Sequence, residues 1–217
     1  IIVTAQKREQ SAQDVPMAIT AMSEELLSST IRDISDITGY APNVVIGQEG
    51  RRPGGTDIQI RGISAAATTD NSYDSPIAIN IDGIYLGTTA GSLLDNFDME
   101  RIEILRGPQG TLFGKNTVGG VVNVIRTRPT GEFGAKVQAT FGEDGRQEFR
   151  AVVNTALSET VAAKFFATSI QSDGWIPNIT IGGNNGEEDY QAYGATFLFT
   201  PNEKFEALLT IETMDDQ

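Results

Sequence analysis

The run Gly110-Thr111-Leu112-Phe113-Gly114-Lys115-Asn116 is where this chain comes nearest to nucleotide chemistry. A glycine-rich turn ahead of a lysine can wrap backbone N–H groups around a phosphate. It needs four residues between the glycines and a hydroxyl after the lysine to reach Mg²⁺. Here three residues separate Gly110 from Gly114, counting back correctly lands on Gln109, and Asn116 replaces the hydroxyl. The spacing does not make a phosphate loop. Acid–base chemistry has one candidate group, Asp95, Asp98 and Glu100, which reads better as polar capping before a strand at Arg101. The chain has no His and no Cys. That removes the usual general base, the usual triad partner and the thiolate and imidazole ligands of metal sites. No enzyme, catalytic residue, protein-held metal or cofactor is expected. Binding chemistry is better served. Arg51 and Arg52 could hold an anionic or metal-chelating group, since guanidinium matches planar carboxylates, or stand as solvated loop charges. Tyr73 and Tyr85 could stack on a ligand or pack against their own domain.

Two halves of different rhythm must position these residues. Residues 1–130 hold 11 Lys/Arg against 15 Asp/Glu, and residues 131–217 hold 5 against 14. The net charge of −13 argues against nucleic acid, whose binding needs clustered cations. In the first half Ser23 can cap a short helix through Glu24, Glu25, Leu26 and Leu27. Asp33 can cap another with Ile34 and Ile37 on one face, stopped by Gly39 and Pro42. Short strands are expected at Val44–Ile46, Asp57–Arg61 and Ile77–Ile81, the last entering an Asp82-Gly83 turn. Two long polar loops, Gly47–Gly55 and Ser64–Ser75, lie between them; such loops are either functional or plain connectors. Then Ile102 and Ile104 alternate with Glu103 and Leu105, and a glycine-punctuated turn leads to an apolar strand from Val121 to Ile125.

The second half alternates throughout. Ala135, Val137, Ala139 and Phe141 share one face, as do Phe149, Ala151 and Val153. Val161, Ala163, Phe165 and Ala167 follow, then Tyr193, Ala195, Phe197 and Phe199, and last Phe205, Ala207, Leu209 and Ile211. Five strands of about 9–11 residues have the length that crosses a bilayer when tilted. Short turns at Leu157–Thr160 and Pro201–Lys204 fall on one rim. The Gly142–Gly145 turn and the long Ser172–Asp189 segment with Trp175 fall on the other, as in outer-membrane barrels. A soluble β-sandwich alternates in the same way. No run of about 18 apolar residues encodes a membrane helix.

The glycine segment resembles the end of the plug domain in TonB-dependent outer-membrane receptors. The matching residues are Glu100-Arg101-Ile102-Glu103, Arg106-Gly107-Pro108, Phe113-Gly114 and Gly119-Gly120-Val121-Val122-Asn123-Val124-Ile125. Upstream, in family order, Ile2-Val3-Thr4-Ala5 looks like the TonB box and Asp14-Val15-Pro16 like the start of the plug. Ala41-Pro42-Asn43-Val44 looks like the PGV turn with Asn in place of Gly. Ile58-Gln59-Ile60-Arg61-Gly62 looks like the IRG strand, and Ile81-Asp82-Gly83-Ile84 like the DG hairpin. Pro108 suits the first turn of a helix, and Gly119-Gly120 permits close backbone approach.

The resemblance implies an α+β plug followed by antiparallel transmembrane β-barrel strands, about five of an expected 22, and ligand-gated import rather than enzymology. The implied layout is a TonB-box-like segment at 1–8, the plug at 9–130 and barrel strands at 131–217. Ile2, Val3, Thr4 and Ala5 would hang into the periplasm and add as a strand to TonB; without the resemblance they read as an ordinary first strand. The plug loops expected to meet ligand carry Arg51, Arg52, Asn71, Ser72, Tyr73, Tyr85 and Leu86. Arg61 and Arg106 would pair with barrel glutamates, while Gly107, Pro108, Gly114, Gly119, Gly120 and Asn123 shape the plug. The implied partners are TonB, outer-membrane lipid and a small nutrient, foremost a ferric siderophore or similar iron chelate, in the outer membrane of a Gram-negative bacterium. Five strands cannot close a transmembrane barrel, which needs at least eight, so a piece of a longer receptor is expected. The alternative is a soluble secreted β-rich ligand-binding module.

Overall fold

The computed structural model describes residues 1–30, 34–48, 56–64, 74–87, 96–180 and 182–216. The chain forms two compact units, Ile1–Thr127 and Arg128–Gln217.

The first unit is built on a five-stranded sheet. Its N-terminal part carries β1 (Ile2–Val3), β2 (Gln10–Ser11), β3 (Ala18–Ser23) and helix α1 (Glu24–Thr30). Glu24 and Glu25 lie in the first turn of α1, where carboxylates favour the positive helix end. A 3-10 turn at Ile34–Ile37 takes the place of the second expected helix; its expected cap Asp33 lies outside the described residues. Then come β4 (Val44–Gln48), β5 (Thr56–Ile60), β6 (Ile63–Ser64), β7 (Ile77–Ile81) and β8 (Ile84–Tyr85). A second 3-10 turn, Asn96–Asp98, leads to β9 (Met99–Arg106), helix α2 (Gly110–Phe113) and β10 (Gly120–Arg126).

The order in the main sheet is β3-β9-β10-β7-β8. Only β10 and β7 run parallel. Strands β4, β5 and β6 form a separate small sheet, and β1 pairs with β2 alone. Side chains alternate between the faces of a strand, so the main sheet has two different sides. One carries Met22, Ile77, Ile79, Ile102, Ile104, Val122 and Val124 in a large cluster, with Ile37, Val44, Ile46, Ile58 and Ile60 packed in from other elements. The other carries Ala78, Leu105 and Val121 beneath Val3, Ala5 and Val15. Both Ile104 and Leu105 are buried. The alternation at 102–105 therefore separates two packed faces, rather than a packed face from a solvated one.

The second unit is an antiparallel meander in the order β11-β12-β13-β16-β17. Its strands are β11 (Gly134–Phe141), β12 (Gln147–Ser158), β13 (Val161–Ser172), β16 (Glu188–Asn202) and β17 (Phe205–Asp216). Inside the long connection a small hairpin forms from β14 (Ile176–Pro177) and β15 (Asn184–Asn185). Register sets Ala135, Val153, Phe165, Ala195 and Ile211 in one row across all five strands. Phe149, Phe165, Tyr193, Leu209 and Ile211 are exposed on that face. Edge-to-face ring pairs Phe141–Phe149, Phe165–Phe197 and Phe199–Phe205 lie 5.7, 6.2 and 6.1 Å apart. The opposite face mixes polar and apolar groups: Glu148 accepts from Arg150, the Thr196 and Thr210 hydroxyls are 3.1 Å apart, and Val152 pairs with Phe166. Beside the Gly142–Gly145 turn, Arg146 donates to Glu148 and, at 2.8 Å, to Glu188. Burial works against the Arg146 charge, but the bond to Glu148 and the charges of Glu188 and Glu148 hold its pKa above the ordinary value.

Candidate functional site

The segment Ile2–Ala5 does not hang free. Ile2 pairs with Ser11 and Val3 with Gln10, and a turn returns the chain through Lys7, whose N–H donates to Thr4 O at 2.8 Å. Alternation turns Val3 and Ala5 into the second core cluster while Ile1 and Ile2 face outward. Thr4 meets Glu103, whose side chain is wholly buried. The Thr4 backbone N–H donates to Glu103 Oε1 at 2.7 Å, and its hydroxyl does so at 3.2 Å. Arg101 Nε donates to the same oxygen at 2.9 Å, and Asn123 Nδ2 donates to Oε2 at 3.1 Å. Arg101 Nη2 also reaches Thr4 Oγ1 at 3.3 Å. The physical reason for docking is plain: a buried carboxylate is costly unless donors satisfy it, and Thr4 supplies two of the four. The sequence offers Arg101 and Glu103 only as part of the plug-like motif, and their contacts with Thr4 were missed. The available signal was an Arg-x-Glu pair on one face of a strand that sits inside a core.

Two cations gather elsewhere in the unit. Arg61 follows β5 with a φ of 55° and donates its N–H to Asn43 O at 2.8 Å. Asn43 itself has a φ of 58°, which Asn tolerates better than most residues and which explains its use where the family has Gly. Arg106 ends β9; its Nη1 reaches Pro42 O at 3.2 Å, and its Nε is buried without a partner. A side chain on Gly107 would begin 3.3 Å from Arg61 Nη1. Among the described residues no carboxylate pairs with Arg61 or Arg106.

The glycine segment between β9 and β10 is a closed turn. Gly107 N–H donates to Gly119 O at 2.9 Å and Gln109 N–H to Thr117 O at 3.0 Å. Helix α2 starts at Gly110 with Gln109 as its cap. Pro108 thus lies ahead of the cap rather than at the first helical position expected, because Gln109 is held in the turn by Thr117. Gly114 closes the helix at a φ of 81°, its N–H on Gly110 O. Lys115 reaches only the exposed Asp74, at 3.3 Å. Gly119 and Gly120 leave no room for a Cβ: at Gly120 it would sit 2.3 Å from Leu105 O, and at Gly119 2.9 Å from Ile77 Cγ1.

Of the residues expected to meet a ligand, Arg51, Arg52, Asn71, Ser72 and Tyr73 lie outside the described residues. Tyr85 and Leu86 are described, and both are partly buried within their own unit. Tyr85 is half-buried against the cluster that holds Val3 and Ala5, and its hydroxyl accepts from Asn116 Nδ2 at 2.8 Å. Leu86 packs on the larger core, its N–H on Ile79 O. Both make these contacts because the Asp82-Gly83 hairpin folds back onto its own sheet. Asp82 anchors that hairpin, accepting from Arg126 N and Nε at 2.9 and 2.7 Å.

Comparison with known proteins matches residues 11–121 to the model of the TonB-dependent Receptor Plug Domain. The chain is 24% identical over 221 residues to the vitamin B12 transporter BtuB of Vibrio vulnificus, covering 99% of this chain and 35% of that protein. It is 30% identical to the ferrichrome outer membrane transporter/phage receptor of Escherichia coli over 65% of this chain and 18% of that one. Among solved structures, the ferric yersiniabactin uptake receptor FyuA from Yersinia pestis superposes with a TM-score of 0.82 at 18% identity, over 94% of this chain and 32% of that one. The pyoverdine outer membrane receptor FpvA from Pseudomonas aeruginosa superposes at 0.80 and 19%, over 99% and 30%. The chain spans about a third or less of the length of the curated relatives it matches.

Proposed function

The chain belongs to the TonB-dependent receptors, and from that premise we propose that it is the plug and first wall strands of an outer-membrane importer. The cargo is a scarce nutrient, foremost a ferric siderophore or similar iron chelate. The observation that carries this reading is the joint presence of a plug sheet and a meander with one exposed, aromatic-rich face. A face of that kind suits lipid and argues against the soluble module, in which it would be packed between sheets. The relatives named for vitamin B12, ferrichrome, yersiniabactin and pyoverdine are transporters and receptors. Without His or Cys, a chelate is better suited than a bare ion as cargo.

In this reading Ile2–Ala5 is the segment TonB takes up by strand addition, a mode that uses backbone hydrogen bonds. The docked state keeps Ile2 exposed, so the segment offers a first handle while Val3 and Ala5 stay buried. Arg61 and Arg106 hold the plug by pairing with carboxylates of wall strands beyond these 217 residues. Their lack of a carboxylate partner among the described residues supports this role. Arg51, Arg52, Asn71, Ser72, Tyr73, Tyr85 and Leu86 are the proposed ligand contacts.

The test is Ile2→Pro in the full-length receptor, with radio-iron siderophore binding and uptake measured on whole cells. Proline removes a backbone donor at an exposed position. Binding should be retained, uptake lost and capture by the periplasmic domain of TonB abolished. Wild-type uptake by this variant would overturn the assignment.

A further inference from the structure

We propose that Arg146 is an anion contact on the inward face of the wall. It receives a carboxylate-bearing solute, and Glu188 occupies it in the solute's absence. This rests on the reading of the second unit as the wall of an importer, and it narrows the cargo to anionic chelates. Arg146 follows a tight turn that fixes its backbone. Its N–H donates to Glu143 O at 3.1 Å, and its carbonyl accepts from Gly142 N–H at 3.0 Å. Asp144 and Gly145 have φ of 53 and 66°, the left-handed pair that a two-residue hairpin turn requires. The turn is clamped beside the end of β13, where Asp173 N–H donates to Asp144 O at 2.8 Å. A Cβ on Gly145 would sit 2.2 Å from Asp173 Oδ2.

Two partners then hold the guanidinium, and they differ in kind. Glu148 is 2% exposed; it accepts from Arg146 Nε on Oε1 and from Arg150 Nη1 on Oε2. It is a fixed anchor, because losing either arginine would leave a buried charge poorly paired. Glu188 accepts from Arg146 Nη1 at 2.8 Å, but its side chain is 40% exposed and that of Arg146 33%. Glu188 lies opposite Ser172, and Gln147 lies opposite Gln171, so Arg146 and Glu188 stand two strands apart. At ~4.8 Å per strand only the extended arginine spans that gap. An exposed pair of this kind contributes little and can be exchanged for another carboxylate. Among the described residues nothing accepts from Arg146 Nη2. One buried acid thus aims the guanidinium and leaves Nη1 and Nη2 facing outward, the fork that receives a carboxylate by two parallel bonds. That aim is set in advance, so the solute does not have to supply it. Alternation places the group opposite the exposed aromatics: Glu148 precedes Phe149, and Glu188 is in phase with Thr196 rather than Tyr193.

Radio-iron complexes of graded charge, from a neutral trihydroxamate to ferric citrate, can be titrated against the full-length receptor by equilibrium dialysis. Glu188→Gln removes the internal competitor, so ferric citrate should bind about threefold tighter and the neutral complex should not change. Arg146→Gln should weaken ferric citrate at least about tenfold through lost charge-assisted bonds, again without effect on the neutral complex. Arg146→Lys should recover only part of this, because an ammonium cannot offer the paired bonds. Glu188→Gln leaves the buried Glu148 contacts in place, so it reads the site even where Arg146→Gln fails to fold. Citrate alone, followed by saturation-transfer NMR, separates the site from the cargo. If its binding depends on Arg146 while no iron complex binds, the site stands and the iron-chelate reading fails. If neither citrate nor ferric citrate responds to changes at Arg146 and Glu188, the arginine is a structural ion pair only and the proposal is overturned, whatever the neutral complex does.

Discussion

Gly120→Ala should be the most damaging small substitution in the first unit. The residue sits at a φ of 153° between two paired strands, β9 on one side and β7 on the other. An added Cβ would lie 2.3 Å from Leu105 O and 2.9 Å from Ile60 Cδ1. The first of these is backbone in the middle of a sheet and cannot rotate away. Overpacking of this kind costs about 1–3 kcal/mol, and a residue held in a sparsely populated backbone region about 1–3 more. Together they take roughly 2–6 kcal/mol from a domain whose whole stability is of order 5–15. Two sister substitutions calibrate the estimate. Gly107→Ala meets only the end of the Arg61 side chain at 3.3 Å, at a φ of 106°, so the backbone strain of about 1–3 kcal/mol dominates. Gly110→Ala meets nothing within 4 Å and has no positive φ, and Ala there should be neutral or stabilising by up to about 1 kcal/mol. Fluorescence cannot read these effects, because the single tryptophan, Trp175, lies in the other unit. Amide hydrogen exchange on β9 and β10 can. At about 1.4 kcal/mol per tenfold, Gly120→Ala should speed it by at least about 30-fold. Exchange within threefold of wild type, or more damage from Gly110→Ala, would refute the reasoning.

Asp82→Asn keeps a residue that tolerates a φ of 50° but weakens the grip on Arg126. Because both side chains are partly solvated, the loss should be about 1 kcal/mol or less, seen as faster exchange confined to β7 and β8. In the wall, Gly194→Ala would place a Cβ 2.5 Å from Ile211 O and 2.6 Å from Phe166 Cζ. A loss of about 1–3 kcal/mol is expected, read by heat-modifiable migration of the full-length receptor. Phe166→Leu should fail to rescue it, since the carbonyl clash remains. Arg61→Ala with Arg106→Ala should raise exchange across the plug of the full-length receptor; an unchanged protection pattern would sink the role given to these arginines.

Much of the architecture was legible because it rests on local rules. The period of two in the second half put Val137, Ala151, Ala167 and Tyr193 on one face, and the register aligns those residues in one row. The Asp82-Gly83 turn, the strand at Ile77–Ile81 and the short helix after Ser23 follow from turn chemistry and capping in the same way. What stayed hidden depends on contacts distant in sequence. Glu103 reads as the polar side of an alternating strand, and only a residue 99 positions away, Thr4, makes it a core carboxylate. Tyr85 reads as a loop aromatic until Asn116, 31 positions on, claims its hydroxyl. The hairpin Ile176–Pro177 with Asn184–Asn185 escaped notice because two-residue strands carry no periodicity.

The placement of strong and weak contacts around β10 favours a particular order of events under tension. Within the sheet plane, Gly120 lets the Leu105 backbone come closer than a side chain would permit, and separating the strands breaks whole ladders. On the face of the sheet that carries Glu103 the N-terminal segment is held by Val3, Ala5 and the bonds of Thr4. Burial of Val3 is worth about 1.5–3 kcal/mol, and each bond to the carboxylate about 1.5–3. A pull on Ile1 meets these few contacts one after another, starting at exposed Ile2 and reaching Val3 before Thr4. The segment therefore gives way contact by contact, whereas the sheet yields only as whole ladders. Releasing Thr4 before the ladder breaks strips Glu103 of half its donors while β9, β10 and β7 still hold register.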